Sequence, residues 1–259
     1  MGELGPEQAI HGATWGRMHG GYFSDPEVAR PLVAAVRGVW EEARPDRIVD
    51  LGGGTGFLLA QVRSANVDVP CFTVLDDSPP QLAEAEKKGF SCVRGSVERF
   101  VRGAVASVVG QRVLWLMRSV LHYAGAAGLD PLLMHLRAQA KPGEFWIHQT
   151  ACFERAEDAA CLNALYGKMR TDKWYPTVGD LRARMRAAGW QVEANLPAPT
   201  LHLEARELGV RYGLDESDLR RIHAEMEKEF NGNLPVFRSS ADGFQADLLY
   251  RIFICRAKA

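Results

Sequence analysis

The sequence is short of cysteine, of any excess of charge and of long apolar runs, and each shortage removes a class of function. Its five cysteines, Cys71, Cys92, Cys152, Cys161 and Cys255, are odd in number, widely spaced and form no C-x-x-C pair. That pattern argues against a disulfide framework and against a zinc knuckle, and predicts reduced, mostly buried thiols. The seven histidines add no ligand spacing, so no metal site is expected. Lysine and arginine number 31 against 32 aspartates and glutamates, for a formal net charge of -1. Such a balance gives no global field toward nucleic acid or an anionic membrane. Arg182, Arg184 and Arg186 fall on a predicted helix and read as a solvated face. No apolar run approaches a membrane span, and Glu3, Pro6 and Glu7 stand where a secretory leader would be basic and then apolar. A cytoplasmic protein with a small-molecule partner is the expectation, its oligomeric state open and a homo-oligomer allowed.

What is present is a chain able to bury a full core: 47% of its residues are hydrophobic and 24% charged. It is organised around Ile48-Val49-Asp50-Leu51-Gly52-Gly53-Gly54-Thr55-Gly56-Phe57, which reads as a buried strand, a glycine turn and a helix start. Glycines there let the backbone turn sharply and approach a ligand with no Cβ in the way. Before it, Ser24-Asp25-Pro26-Glu27 reads as a helix start, with Val28, Leu32, Val33, Val36 and Trp40 at helical spacing. After it come a helix from Phe57, a strand over 69–75, a short helix over 80–88 and a strand over 90–96. Then follow a strand over 113–117, a helix over 129–140 started by Asp130-Pro131, and a strand over 144–148. Residues 154–189 are helical around a Trp174-Tyr175-Pro176 break, and a sixth strand covers 190–193. A helix is expected over Glu216–Phe230, an irregular stretch over 231–243, and a last strand over 248–255. Strands alternating with helices imply a doubly wound, mostly parallel sheet. Three segments, 1–40, 151–180 and 200–243, lie outside that pattern. They are expected to form a lid and a helical cap on a core within 41–259.

Ligands of open α/β sheets bind beyond the carboxyl ends of the strands at a switch point, which is where Gly52 to Gly56 should sit. A dinucleotide fingerprint needs G-x-G-x-x-G, but Gly52-x-Gly54-x-Gly56 is followed by Phe57, and no Gly-Lys-Ser/Thr follows to make a phosphate loop. Asp50-Leu51-Gly52-Gly53-Gly54-Thr55-Gly56, then Asp76-Asp77-Ser78-Pro79-Pro80-Gln81-Leu82, then Gly95-Ser96-Val97 occur in order. In this the chain resembles the class I S-adenosylmethionine-dependent methyltransferases over roughly residues 46–195. The resemblance implies a Rossmann-like seven-stranded sheet with its last strand antiparallel, and S-adenosylmethionine as cofactor. It implies that Asp50 and the backbone of Gly52, Gly53, Gly54 and Gly56 hold the methionine moiety, and that Asp76 accepts both ribose hydroxyls. Asp77 is a second candidate there. Ser96 and Val97 would face the adenine, with serine where the family often has an acid, and Arg118 ends the fourth strand on the same side.

A sulfonium methyl is already electrophilic, so the protein mainly aligns the acceptor and excludes water, and an O–H or N–H acceptor also calls for a base. Leu121-His122-Tyr123 is similar to the Leu-His-Asp-Trp segment of small-molecule O-methyltransferases, which makes His122 the candidate base, although Tyr123-Ala124 replaces Asp-Trp. Substrate candidates are His148 and Gln149 after the fifth strand, Trp15, His19 and Tyr22 before the core, and Tyr166, Trp174 and Tyr175 after it. The acceptor expected from them is an apolar or aromatic metabolite of a biosynthetic pathway, methylated on O, N or C. Three other readings stay open. One is a protein that binds the cofactor without transferring its methyl, as scaffold, sensor or rearrangement catalyst. The second is a nicotinamide-dependent oxidoreductase, which Phe57 disfavours, and the third a protein or RNA methyltransferase.

Overall fold

A computed structural model describes residues 21–230, 233–240 and 242–259. The first helix, α1 (Pro26–Ala43), starts as its sequence dictates: the Asp25 carboxylate accepts from the Glu27 N–H at 2.8 Å, and Pro26 occupies the first turn. Ala29, Leu32, Val36 and Val39 form its buried face. The chain then alternates: β1 (Arg47–Leu51), α2 (Phe57–Ser64), β2 (Cys71–Asp76), α3 (Pro79–Lys87), β3 (Ser91–Arg94), the single turn α4 (Arg102–Val105) and β4 (Val113–Arg118). A 3₁₀ turn, Leu121–Ala124, leads into α5 (Gly125–Gln139) and β5 (Phe145–Ala151). α6 (Ala156–Lys168) and α7 (Val178–Ala187) precede β6 (Trp190–Pro197). The helix expected from residue 129 in fact begins at Gly125, with Pro131 inside it.

The strands form one seven-stranded sheet in the order β3-β2-β1-β4-β5-β11-β6, in which β11 is Tyr250–Ala257. β1 to β5 run parallel, and β11 is antiparallel to both of its neighbours. Successive residues of a strand face opposite sides, and both sides are apolar here. Ile48, Val74, Leu114, Leu116 and Ile147 pack with α1, α2 and α3. Val49, Trp115, Met117, Trp146 and Phe253 pack with α5 and α7 on the other face. Cys152, Cys161 and Cys255 are buried, Cys71 and Cys92 half-buried, and all five are free thiols.

The cap is more than helical. Between β6 and β11 lie β7 (Leu201–Glu204), α8 (Ala205–Tyr212), α9 (Glu216–Phe230), β8 (Asn233–Leu234), β9 (Phe237–Ser240) and β10 (Gly243–Leu248). The stretch expected to be irregular thus contributes to a second, antiparallel sheet ordered β7-β10-β9-β8. That sheet has its own apolar core, in which Leu203, Phe237 and Phe244 meet Ile222 and Met226 of α9 and Leu162, Leu165 and Tyr166 of α6.

Candidate functional site

β1 pairs with β2 on one side and β4 on the other, so the chain reverses its winding at β1 and opens a crevice beyond its carboxyl end. The glycine turn fills the rim of that crevice. Gly52, Gly54 and Gly56 all have positive φ, of 68°, 53° and 70°. A side chain would also collide there: a Cβ on Gly52 would stand 2.7 Å from the Val120 side chain, and one on Gly54 would run into the Gln81 amide. The N–H groups of the turn are themselves committed inside the protein: Gly52 and Gly53 donate to the Leu75 carbonyl at 2.8 and 3.3 Å, and Gly56 to the Gly53 carbonyl at 3.0 Å. Asp76, at the end of β2, ties the turn down. Its Oδ2 accepts from the Gly54 N–H and its Oδ1 from the Ser78 N–H, each at 2.9 Å. The same carboxylate lines the cavity.

Asp50 and Arg118 supply the opposite charges. Asp50 is 1% exposed, and among the described residues its Oδ1 has no hydrogen-bond partner. Burial, and next the Asp76 carboxylate, push its pKa up to about 7, while Arg118 draws it down. Arg118 donates to the Phe23 and Tyr22 carbonyls at 3.2 Å, and its buried Nε has no partner among the described residues. Its guanidinium lies 5.7 Å from the Phe23 ring and 5.8 Å from the Phe57 ring. A buried acceptor and a buried cationic donor without partners thus belong to two residues that line one cavity, which suits a ligand carrying both an ammonium and a carboxylate.

The raised pKa has a measurable consequence. Asp50 binds its proton more tightly folded than unfolded, so its contribution to stability is complete below the ordinary value of 3.8 and is lost as pH rises toward about 7. Urea unfolding of the ligand-free protein between pH 4 and 8 should show this decline, and Asp50→Asn should flatten it. Affinity for an α-amino acid ligand should move the other way, rising as Asp50 ionises, and a pH-independent affinity in the wild type would contradict the pairing.

The cavity at this rim has a volume of about 570 Å³, within the range of small-molecule sites. Asp50, Gly52, Gly53, Gly54, Asp76, Asp77, Ser96, Val97 and Arg118 line it, whereas Gly56 shapes the turn from behind, against Phe90. Phe23, Phe57, Glu98, Arg99, Ser119 and Tyr123 are among the further lining residues and were not singled out from sequence for this role. Next to it is a niche of only about 10 Å³, lined by His122, Tyr166 and Tyr175 with Lys173, Arg211, Leu201, Leu248 and Tyr250. Phe23, Ser119 and Tyr123 border both spaces. The His122 ring stacks on Tyr175 at 5.4 Å and faces the niche, not the larger cavity.

Other sequence candidates stand elsewhere. His148 lines neither space: β5 runs on to Ala151 rather than ending at residue 148, which leaves His148 inside the sheet. It is stacked between Trp146 at 4.0 Å and Phe253 at 5.1 Å, and burial drives its pKa down to about 3. A neutral core histidine is the result, not a substrate contact. Gln149, one residue on, points to the opposite face and donates to the Tyr22 hydroxyl at 3.2 Å. Tyr22 in turn donates to the Pro199 carbonyl at 2.6 Å, so the pair joins core to cap behind the cavity. Trp174 packs on the α5 side beneath Arg184, and its N–H donates to the His122 carbonyl at 3.2 Å. Trp15 and His19 lie outside the described residues. Ser119 carried one signal that sequence reasoning passed over, its position directly after the strand beside β1. It is a non-glycine residue at φ 61°, with its hydroxyl 2.5 Å from that of Tyr250. Among the described residues no helix is long and apolar enough to cross a membrane, and no group of three or more histidine, cysteine or acidic side chains is placed to hold a metal.

No family model matches the sequence, and no curated protein matches it. Solved structures do. A candidate methyltransferase of Bacillus halodurans gives a TM-score of 0.67 at 11% identity, over 88% of this chain and 99% of its own. Magnesium protoporphyrin IX methyltransferase of Synechocystis, solved with S-adenosylhomocysteine bound, gives 0.54 at 13% identity over 90% and 83%. The (4+2)-cyclase SpnF gives 0.52 at 15% identity over 88% and 82%. Identities this low speak for architecture alone. On its strand order, its antiparallel β11 and these likenesses, the chain has the fold of the class I S-adenosylmethionine-dependent methyltransferases.

Proposed function

We propose that the protein is an S-adenosylmethionine-dependent methyltransferase acting on a small aromatic metabolite. One observation carries the reading: the orphaned Asp50 Oδ1 and Arg118 Nε at a cavity rimmed by three positive-φ glycines fit the two charged groups of an amino-acid cofactor. Asp50 would hold the ammonium, Arg118 the carboxylate, and Asp76 the ribose hydroxyls. Asp77 would assist at the ribose, and Ser96 and Val97 would flank the adenine. When bound, the cofactor supplies an electrophilic methyl on sulfur. The protein's own work is then positional. Phe23, Phe57 and Tyr123 exclude water at the inner wall, and good alignment of an acceptor contributes on the order of 7 kcal/mol or more. His122 is the proposed base, taking the proton of an O–H or N–H acceptor that reaches the niche.

Mass spectrometry of an incubation with S-adenosylmethionine and a pool of aromatic metabolites tests the reading: S-adenosylhomocysteine and a product heavier by one methylene are expected. In His122→Phe, which retains a ring against Tyr175, turnover should fall by about 10²–10⁴-fold, while calorimetric affinity for S-adenosylhomocysteine stays at the wild-type value. Full turnover in that variant would remove the base and favour a carbon or already nucleophilic acceptor. A second reading is a rearrangement catalyst that only binds the cofactor. The tightness of the niche beside His122 and the likeness to the cyclase favour it. Release of a methylated product decides against it.

A further inference from the structure

Among the described residues, the non-glycines with positive φ are Arg44, Asn66, Ser119 and Arg170. Arg44, Asn66 and Arg170 stand just past the ends of α1, α2 and α6, where left-handed backbone is an ordinary way to stop a helix. Ser119, at φ 61°, follows a strand instead, where no helix has to be ended. Its backbone is held there by β5, since the Ser119 N–H donates to the Gln149 carbonyl at 2.8 Å. Its side chain is held by β11, the hydroxyl lying 2.5 Å from that of Tyr250. Tyr250 is itself fixed: it is 3% exposed, sits opposite Ala151 in the sheet, and its carbonyl accepts from the Ala198 N–H at 3.2 Å. The Tyr250 hydroxyl has no second hydrogen-bond partner among the described residues, and burial keeps it protonated, so its proton goes to the Ser119 oxygen. Ser119 then keeps its own O–H to give.

Ser119 also lines the cavity of about 570 Å³. Its neighbours fix where: Arg118 precedes it, and Val120 follows it against the glycine turn, 2.7 Å from where a Cβ on Gly52 would stand. The strained residue is therefore at the end of the cavity proposed for the amino-acid part of the cofactor, beside the sulfur and its methyl. From this we infer that Ser119, oriented by Tyr250, positions the acceptor, and that the acceptor atom is the oxygen of a phenol. A donor at this point selects among nucleophiles. An amine has a single lone pair, and a hydrogen bond to it would occupy the electrons that must attack. The carbon of an arene has no lone pair to receive one. An oxygen has one lone pair for Ser119 and another for the methyl. A hydrogen bond to the ionised form also favours it, so Ser119 eases loss of the phenolic proton. The inference rests on the proposed methyl transfer for the word acceptor, while binding of a phenol at Ser119 can be measured without any transfer.

Absorbance titration of 4-nitrophenol bound to the full chain, saturated with S-adenosylhomocysteine, tests it, because the phenolate of this probe is coloured and the phenol is not. The bound probe should ionise about one pH unit below the free one, the scale of a hydrogen bond to a charged oxygen. Ser119→Gly suits the left-handed backbone, so it should fold as the wild type does by circular dichroism and yet lose most of that shift. Ser119→Ala should lose it too, and Tyr250→Phe, which frees the serine hydroxyl to rotate, should lose part of it. Calorimetric affinity for S-adenosylhomocysteine should stay within about threefold of the wild type in both Ser119 variants. No binding of the probe, a bound probe that ionises with the free one, or a shift that survives in both Ser119 variants overturns the inference. So does an equal loss of S-adenosylhomocysteine affinity, which would make Ser119 a cofactor contact. The titration is repeated without S-adenosylhomocysteine. If that ligand fails to bind while the probe still shifts through Ser119, the methyltransferase reading falls and the phenol site stands.

Discussion

Replacing Asp76 with alanine should abolish useful cofactor binding while leaving the fold in place. In the wild type its two oxygens accept from the Gly54 and Ser78 N–H groups, and the residue lines the cavity. Loss of two charge-assisted ribose contacts, at about 1.5–3 kcal/mol each, corresponds to about 10²–10⁴-fold weaker binding of S-adenosylhomocysteine by calorimetry. Release of the Gly54 N–H adds to this, since the glycine turn loses its tether. A second readout separates this role from a general loosening. The Asp76 charge is one of the causes that raise the Asp50 pKa, so Asp76→Ala should move the Asp50 titration downward in pH. Binding within threefold of the wild type would end the assignment of Asp76, and with it the proposed function.

The largest effect on stability is expected at the other end of the sheet. The Glu144 carboxylate, just before β5, is 4% exposed. It accepts from Arg102 through both terminal nitrogens at 2.6 and 2.7 Å, from the Val113 N–H at 2.8 Å, the Lys141 N–H at 2.9 Å and the Trp115 indole at 3.1 Å. Glu144→Ala leaves a nearly buried guanidinium and three N–H donors without their acceptor. Breaking a buried pair in this way costs about 3–5 kcal/mol, which at about 2–4 °C per kcal/mol for a chain of this size lowers Tm by about 6–20 °C. Replacing both partners with leucine should be milder than Glu144→Ala alone, because no charge is then stranded. S-adenosylhomocysteine affinity of the folded variant should be unchanged, since the length of β4, roughly 17 Å, separates this cluster from the cavity. A Glu144→Ala protein that melts with the wild type would refute the account.

Residues whose work is local were the readable ones. Gly52 to Gly56 must turn the chain within a few residues, Asp25 caps the helix it precedes, and Asp76 binds the turn beside its own strand end; each leaves its mark in neighbouring sequence. His148 was misread because period two offers no indication of which face a strand residue takes, and one residue of register separates one face from the other. Gln149, its neighbour, did reach the opposite face. The niche was beyond sequence reasoning for another reason. Tyr123, Lys173, Arg211 and Tyr250 come from the turn after β4, the loop before α7, the insertion between β6 and β11, and β11 itself, and no spacing records that meeting. The second sheet was missed likewise: β8 has two residues and β9 four, too short to show an alternation.

The place of β11 sets an order on synthesis. Every residue lining the larger cavity has been made once the ribosome passes Leu132, and β1 to β4 can by then pair among themselves. β5 is different. All seven of its residues are buried in the finished sheet, and one of its edges stays bare until Tyr250–Ala257 emerges to cover it. A nascent chain thus completes its donor cradle early, and carries an open, apolar strand edge for the remaining hundred or so residues. Aggregation during expression, and any benefit from a chaperone, should be concentrated in that interval.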